Sequence, residues 1–586
     1  MPAVETAGAH HRETTPEGMF VEWDVPVEMD DGLVLRADVY RPAGDDRYPV
    51  VLSHGPYGKG LSFQDAYASS WEIMARNHPD VTAGSTNRFQ NWEVVDPEKW
   101  VPEGYICIRV DSRGAGRSPG CMDLWSPRET LDFYRCIEWA GSQPWSNGKV
   151  GLNGISYYAI NQWQVASLQP PHLAAICVWE GASDWYRDVS HHGGIYTSFI
   201  ANWMPMQVKT VQYGVGENGP RDRNSGLLVC GDETLTQEEL AANRSDLGAQ
   251  FLEHPLLDEL YNGRAPDFEK ITVPLLSAGN WGGQGLHLRG NVEGYLRAAS
   301  EQKWLEMHGL EHWSHFYTDY GRQLQLQFFD HFLKGEDNGW SDRPPLQLNI
   351  RSVDSTFLVR QEQGWPLERT RWTRYYLDAD GASLSPTVPD SAGQVGYDTS
   401  GDGLLFSVTM DEQTEVTGPL AAKLFVETTG TDADLFLVVR VFDPQGEEVV
   451  FHGALDPHTP VAQGWLRASH RRLDPAMTEP YRPLHPHDAT EPVQPGTVYE
   501  LDIEIWPTCL VIPAGYVLSL SVRGKDYVYP GEPAHLSNMP RPMTGVGPFV
   551  HTDPLDRVPG VLDGMVTVHT GGQTPSCLLV PVIPAP

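Results

Sequence analysis

The chain has few cysteines and no pattern among them. Cys107, Cys121, Cys136, Cys177, Cys230, Cys509 and Cys577 are scattered, odd in number and without C-x-x-C spacing. That spacing offers neither a disulfide framework nor a zinc site. Cys107 and Cys177 lie in apolar runs, Tyr105-Ile106-Cys107-Ile108 and Ala175-Ile176-Cys177-Val178, and read as small core residues. Long hydrophobic runs are also missing. No stretch approaches the roughly 18–20 uninterrupted apolar residues of a membrane helix, and residues 1–12 lack the apolar centre of a signal peptide. A cytoplasmic location is the resulting expectation. Positive charge is scarce, with 42 Lys and Arg against 77 Asp and Glu and a formal net charge of −35. Such a field repels nucleic acid and anionic membrane, so neither is expected as a partner.

Motifs for bound groups are missing too. Gly114-x-Gly116 lacks the third glycine and the acidic residue of a dinucleotide site and reads as a tight turn, so no cofactor is implied. His191-His192 comes without companion carboxylate or cysteine spacing, so no metal is expected. What the chain does have is 57 Gly, 47 Pro and 40% hydrophobic residues over 586 positions. That is material for cores, many turns and more than one domain, since single cores stop growing at roughly 250–300 residues.

Periodicity places the elements. Alternating apolar residues (Val21, Trp23, Val25, Val27, then Leu33, Leu35, Ala37, Val39) flank the turn Met29-Asp30-Asp31-Gly32, predicting an antiparallel hairpin over 20–41. The continuous apolar run at 48–52 predicts a strand buried on both faces, and 105–111, 150–154 and 174–179 predict further strands. Helices predicted over 129–139 and 158–168 alternate with them, as in a parallel α/β sheet with right-handed crossovers. The aromatic stretch 60–99 reads as a loop-rich insertion over the sheet edge. Residues 186–268 read as a helical insertion, the form of a cap over an active site. The α/β pattern resumes at Val273-Pro274-Leu275-Leu276 and Lys303-Trp304-Leu305, followed by a helix over 323–333. Beyond 344, short alternating strands between Gly, Pro and Asp turns predict an all-β jelly-roll sandwich. The expected organisation is a catalytic α/β-hydrolase domain over 1–185 and 269–343, a cap over 186–268 and the β domain over 344–586.

Gly154-Ile155-Ser156-Tyr157-Tyr158 falls where a buried strand ends and a helix begins. A tight turn there presents a serine Oγ above the sheet, and the following helix amides help hold an oxyanion. The G-x-S-x-G pattern is partly met, because Tyr158 stands in place of the second glycine. Ser156 is the candidate nucleophile.

The chain resembles the X-prolyl dipeptidyl-peptidase and cocaine esterase family, the CocE/NonD hydrolases, over essentially its whole length. The resemblance is carried by Ala37-Asp38-Val39-Tyr40-Arg41-Pro42, Pro56-Tyr57-Gly58-Lys59 and Asp111-Ser112-Arg113-Gly114-Ala115-Gly116-Arg117-Ser118. Gln143-Pro144-Trp145-Ser146-Asn147-Gly148, Gly154-Ile155-Ser156-Tyr157 and Gly464-Trp465-Leu466-Arg467-Ala468-Ser469-His470-Arg471 extend it. It implies an α/β-hydrolase domain with an inserted helical cap and a C-terminal jelly roll. It also implies an elbow that commonly lacks the second glycine.

The base of such a site is a histidine after the last catalytic strand. His308-Gly309-Leu310-Glu311-His312-Trp313-Ser314-His315 offers two candidates. Registration from the strand selects His312, whereas alignment on Trp-Ser-His alone selects His315. His308 reads as structural. At the position where the family carries its aspartate the chain has Asn280-Trp281-Gly282, with no carboxylate. Glu180, ending the strand beside that of Ser156, is the best replacement and keeps the order Ser–acid–His; Asp184 is the second candidate. The Tyr157 amide is one oxyanion donor by position, and the resemblance implies the phenol of Tyr57 as the other. His287 is a possible pocket residue.

These residues predict a serine hydrolase that cleaves a carboxylic ester or amide through an acyl-enzyme. Its expected partner is a small-molecule ester or amide, with self-association into a homo-oligomer left open. Two alternatives stand beside it. One is an X-prolyl or α-aminoacyl peptidase, or an acyltransferase, of the same family. The other is a lapsed hydrolase whose jelly roll binds carbohydrate.

Overall fold

The computed structural model describes residues 11–16, 18–453 and 455–584. The stretch searched for a signal segment therefore lies outside the described residues up to position 10. Strands β1 (Arg12–Thr14), β2 (Met19–Glu28) and β3 (Val34–Pro42) pair antiparallel, the last two forming the expected hairpin. Then come β4 (Tyr48–Gly55), β5 (Ile106–Asp111), β6 (Ser146–Ile155), β7 (Leu173–Trp179), β8 (Leu275–Asn280), β9 (Lys303–His308), β10 (Leu346–Arg351) and β11 (Phe357–Glu362). All eleven join one sheet in the order β1-β2-β3-β5-β4-β6-β7-β8-β9-β10-β11. From β5 across to β10 every pairing is parallel.

Parallel strands need both faces covered, and helices α1 (Pro127–Gly141), α2 (Tyr157–Ala166), α3 (Leu288–Arg297) and α4 (Asp319–Phe329) do much of the covering. Local chemistry sets their starts. Ser126 accepts from the Glu129 amide with Pro127 at the first helical position of α1, and Thr318 caps α4 through the Gly321 amide. The register brings four strand ends together: Ile155 lies opposite Trp179, and Asn280 opposite His308. The C-terminal edge of a parallel sheet is where such folds build their sites.

Several expectations are corrected in detail. The 60–99 insertion is not mainly loop: helices run over Ala68–Asn77 and, as single turns, over Phe63–Ala66, Pro79–Thr82 and Pro97–Trp100. The 186–268 cap is made of short pieces, the longest α-helix being Leu247–Glu253, because Pro205, Pro220 and the glycines at 214, 216, 219, 226 and 231 interrupt it. The catalytic sheet also continues past residue 343, since β10 extends its parallel run beside β9 and β11 adds an antiparallel edge.

The C-terminal part is β-rich. In place of two separate sheets, nine strands close into one hydrogen-bonded ring. In order around it lie Thr414–Thr428, Tyr499–Ile512, Ala462–Arg467, Asp434–Phe442, Val517–Arg523, Leu404–Thr409, Ser383–Ser385, Arg371–Asp378 and Cys577–Ile583. The last strand pairs back onto the first. A register shift at Gly418/Leu420 helps the long first strand bend and serve partners on both sides. Leu420, Leu424, Leu435, Ile503 and Leu520 are among the residues of its core.

Helix α2 lies close against β4. A Cβ on Gly55 would stand 2.7 Å from Tyr158 Cε1 and 3.2 Å from Tyr157 Cδ1, so glycine at 55 is what makes room for the tyrosine that replaces the elbow's second glycine. Gly55→Ala is expected to lower stability by about 1–3 kcal/mol through overpacking. Gly364→Ala, with nothing within 4 Å of its Cβ, serves as the control. Urea unfolding of the two variants checks this, and equal midpoints would refute it.

Candidate active site

Ser156 sits between β6 and α2 with φ 57° and ψ −114°, a conformation that costs a non-glycine residue about 1–3 kcal/mol. The turn is held from two sides. Its amide donates to the carbonyls of Trp179 and Glu180, both at 3.2 Å, and its carbonyl accepts from Ala159 and Ile160. Gly154, at φ 152°, permits the approach, because a Cβ there would lie 2.4 Å from Tyr158 Cβ. Ser156 remains partly exposed while Ile155 and Tyr157 are buried.

Glu180 follows β7 directly, with φ 50° and no solvent exposure. Its amide donates to the carbonyl of Ala278 on β8. Its Oε2 accepts from His312 Nδ1 at 2.6 Å, and Oε1 faces His308 Nε2 at 3.0 Å and Asn280 Nδ2 at 3.2 Å. Burial alone would raise this carboxyl, but the two imidazoles hold it well below the usual carboxylate range. His308 is fully buried and is itself bracketed by Glu306 Oε2, 2.6 Å from Nδ1. Against the desolvation that would lower it, the two carboxylates push His308 up to about 9.

Asn280 thus stands where a carboxylate was missing from the expected pattern and donates to the carboxylate that is present. Its Nδ2 also reaches the carbonyl of Leu310 at 2.9 Å, while Oδ1 accepts from the Gly282 amide at 2.8 Å.

His312 and Ser156 line the same pocket, whereas His315 lies in the following turn, its ring against those of His308 and Tyr320. The residue that strand registration selects thus shares the pocket with Ser156, and the one selected by alignment on Trp-Ser-His is not among its lining residues. Asp184 does not meet either histidine. It caps the turn after it by accepting from the amides of Tyr186 and Arg187, and pairs with the Arg187 guanidinium at 2.7 Å. Tyr57 is buried in the same pocket, its ring edge-on to Tyr157, Tyr158 and Trp203. Tyr157 is the first residue of α2, a position whose amide has no carbonyl partner within the helix. His287 also lines the pocket and stacks on His312 with centroids 5.0 Å apart and planes 8° apart. The pair His191-His192 is engaged elsewhere, His191 with Ser190 and His192 with His551.

One residue escaped the sequence reading. Glu93, in the 60–99 insertion, places Oε1 3.1 Å from His312 Nε2 and lines the pocket beside Ser156. It is buried at φ 62°, and its carbonyl accepts from the Ile155 amide at 3.0 Å. The available signal was a lone acid in the apolar run Trp92-Glu93-Val94-Val95.

The pocket walls come from four parts of the chain. The insertion supplies Trp92, the cap Phe199, Trp203 and Gln207, the loop after β8 Leu286, and the β-rich domain Leu455, Asn538, Met539 and Phe549. The lining is largely apolar and aromatic around a few convergent polar groups, the usual character of a small-molecule site.

Comparison with known proteins gives this geometry its setting. The family model described as X-Pro dipeptidyl-peptidase (S15 family) matches residues 31–317, and that of the X-Pro dipeptidyl-peptidase C-terminal non-catalytic domain matches 338–579. A putative serine esterase of Mycobacterium bovis is 24% identical over 85% of this chain and 90% of its own length. The cocaine esterase of a Rhodococcus species is 23% identical over 96% of this chain and 98% of its own. The crystal structure of a CocE/NonD family hydrolase from Staphylococcus aureus is 32% identical, with a TM-score of 0.82, covering 99% of this chain and 98% of that one. With both halves matched in order and one solved relative aligned end to end, the chain belongs to the CocE/NonD hydrolases and is a serine hydrolase of ester or amide bonds.

Proposed function

We propose that Ser156 is the nucleophile, His312 its base and Glu180 the acid that orients the base. The observation that carries this reading is the 2.6 Å contact between His312 Nδ1 and Glu180 Oε2 beneath a serine in a strained strand-to-helix turn. His312 with Nδ1–H on Glu180 presents Nε2 as proton acceptor, the tautomer a serine base requires. Nε2 removes the Oγ proton as Oγ attacks the carbonyl carbon, giving a tetrahedral oxyanion. The Tyr157 amide and the Tyr57 hydroxyl are the donors assigned to that oxygen. Collapse expels the alcohol or amine, which takes the proton from Nε2. Water deprotonated by the same nitrogen then releases the acid and restores Ser156.

The aromatic walls favour esters or amides with apolar acyl or leaving groups over sugars. The β-rich domain, for which the jelly-roll reading is retained as a proposal, contributes one of those walls. The lapsed-hydrolase alternative rested on the carboxylate missing at Asn280, and Glu180 in contact with His312 removes its motive.

Three measurements test the assignments. Ser156→Ala is expected to abolish stoichiometric labelling by a fluorophosphonate, and undiminished labelling would remove Ser156 from the role. Glu180→Gln, by analogy with loss of a triad acid, is expected to lower kcat by about 10⁴. Tyr57→Phe is expected to lose roughly 10²–10³ in kcat with a p-nitrophenyl ester, as for loss of one oxyanion donor. Near-normal turnover in either variant discards its assignment.

Asn280→Asp tests whether the acid has moved rather than been lost. A carboxylate beside Glu180 Oε1 has its pKa raised by like charge in the folded state. Its stability deficit against the wild type should be small below the unfolded value of about 3.9 and grow as pH rises above it. Thermal unfolding across pH measures this. A variant at least as stable as the wild type near neutrality would show that position 280 accepts a second acid.

A further inference from the structure

His312 is held from both sides. Glu180 takes Nδ1, as a triad acid would, but Nε2, the nitrogen that must face Ser156, meets Glu93 Oε1 at 3.1 Å. Among the described residues that nitrogen makes no hydrogen bond to Ser156 Oγ. Glu93 is fixed in this position by its own backbone, a left-handed conformation whose carbonyl is bonded to the elbow residue Ile155. Its second oxygen, Oε2, is buried without a hydrogen-bond partner. Most buried side-chain polar atoms have a hydrogen-bond partner, so an unpartnered carboxylate oxygen in the pocket calls for an explanation.

We propose that Glu93 is a positioning residue of the hydrolytic reaction: it competes with Ser156 for Nε2 of His312, and the serine becomes reactive when this contact opens. The inference rests on the nucleophile and base assigned above and holds for any acyl group.

The proton count is simple. In the closed state one proton lies between Glu93 Oε1 and Nε2, and a second sits on Nδ1 facing Glu180. Loss of the first proton to water leaves a carboxylate opposite an imidazole lone pair, which repel each other. The imidazole is then free to accept the Oγ proton. Glu93 therefore lowers the fraction of competent base at neutral and acid pH and shifts activity toward alkaline conditions. The same carboxylate favours the imidazolium that forms when Ser156 attacks.

The groups facing the pair allow this reading. Burial tends to lower His312, but Glu180 and Glu93 carry it well above the ordinary histidine range. Burial raises Glu93, with His312 opposing. His287, stacked on His312, is held neutral by burial, and the phenols of Tyr57, Tyr67, Tyr158 and Tyr317 around Glu93 are all pushed far above neutrality. Glu180 stays ionised. His308, behind Glu180, is pushed up by Glu306 and Glu180 against the desolvation of burial, and it is common to every variant below.

The test needs no knowledge of the substrate. The rate of fluorophosphonate incorporation at Ser156 is followed from about pH 5 to pH 10, a range that brackets the ordinary histidine value. The full-length wild type is compared with Glu93→Gln and Glu93→Asp, each checked for folding by circular dichroism. Removing the charge in Glu93→Gln is expected to move the acid limb of the profile down by about one unit or more, a tenfold change in proton affinity. Glu93→Asp, which keeps the charge with shorter reach, is expected to fall between. An acid limb that stays in place or moves up in folded Glu93→Gln overturns the proposal, as does folded protein that fails to label at any pH. If Glu93→Gln does not fold, the limb of Glu93→Asp decides by the same criterion. Wild-type protein that takes up no label at any pH would instead refute the hydrolytic assignment of Ser156, a result separable from the others.

Discussion

Glu180 is a carboxylate with no access to water, and much of the cleft is organised by the need to satisfy it. Burying an ion costs several kcal/mol unless hydrogen bonds and opposite charge compensate. Here His312, His308 and Asn280 converge on its two oxygens from the ends of neighbouring strands and the loop beyond them. Satisfying this one group fixes the ring plane of His312, the position of β8's last residue and the inward turn of His308. The backbone carbonyl of the same residue receives the amide of Ser156. Ser156 and His312 are therefore both tied to Glu180, and small displacements of any one of the three are resisted by the others.

Charge also holds the parts of the molecule to one another. Arg289 on α3, almost fully buried, pairs with Asp188 at 2.9 Å and with Glu504 of the β-rich domain at 2.9 Å. Breaking one partner of a pair so deeply buried leaves an uncompensated charge, which is costlier than the pair is stabilising. The walls of the cleft from the cap and the β-rich domain therefore rest on contacts that tolerate little change.

Much of this was legible in the residues. Largely apolar runs without alternation identified the parallel strands, because burial on both faces leaves little room for alternation. The strand-to-helix place of Ser156 was readable, and the empty carboxylate position at Asn280 pointed to Glu180, which the structure puts against His312 and Asn280. His312 followed from counting along the strand that precedes it. Glu93 was not readable in the same way. Its position depends on a left-handed backbone residue and on how a forty-residue insertion folds back over the sheet, neither of which follows a 3.6- or 2-residue period. The closed ring of the β-rich domain was likewise hidden. Alternation marks each strand but does not say which strand returns to pair with which.

The four-part wall of the cleft has a consequence for when the protein can work. Trp92 and Phe549 border the same small space, yet one is made early and the other late. At about 5–20 residues per second, Phe549 leaves the ribosome roughly 20–80 s after Ser156. During that interval the wall that Phe549 supplies is not yet available to border Ser156. The serine is thus made before the last of the walls that border it.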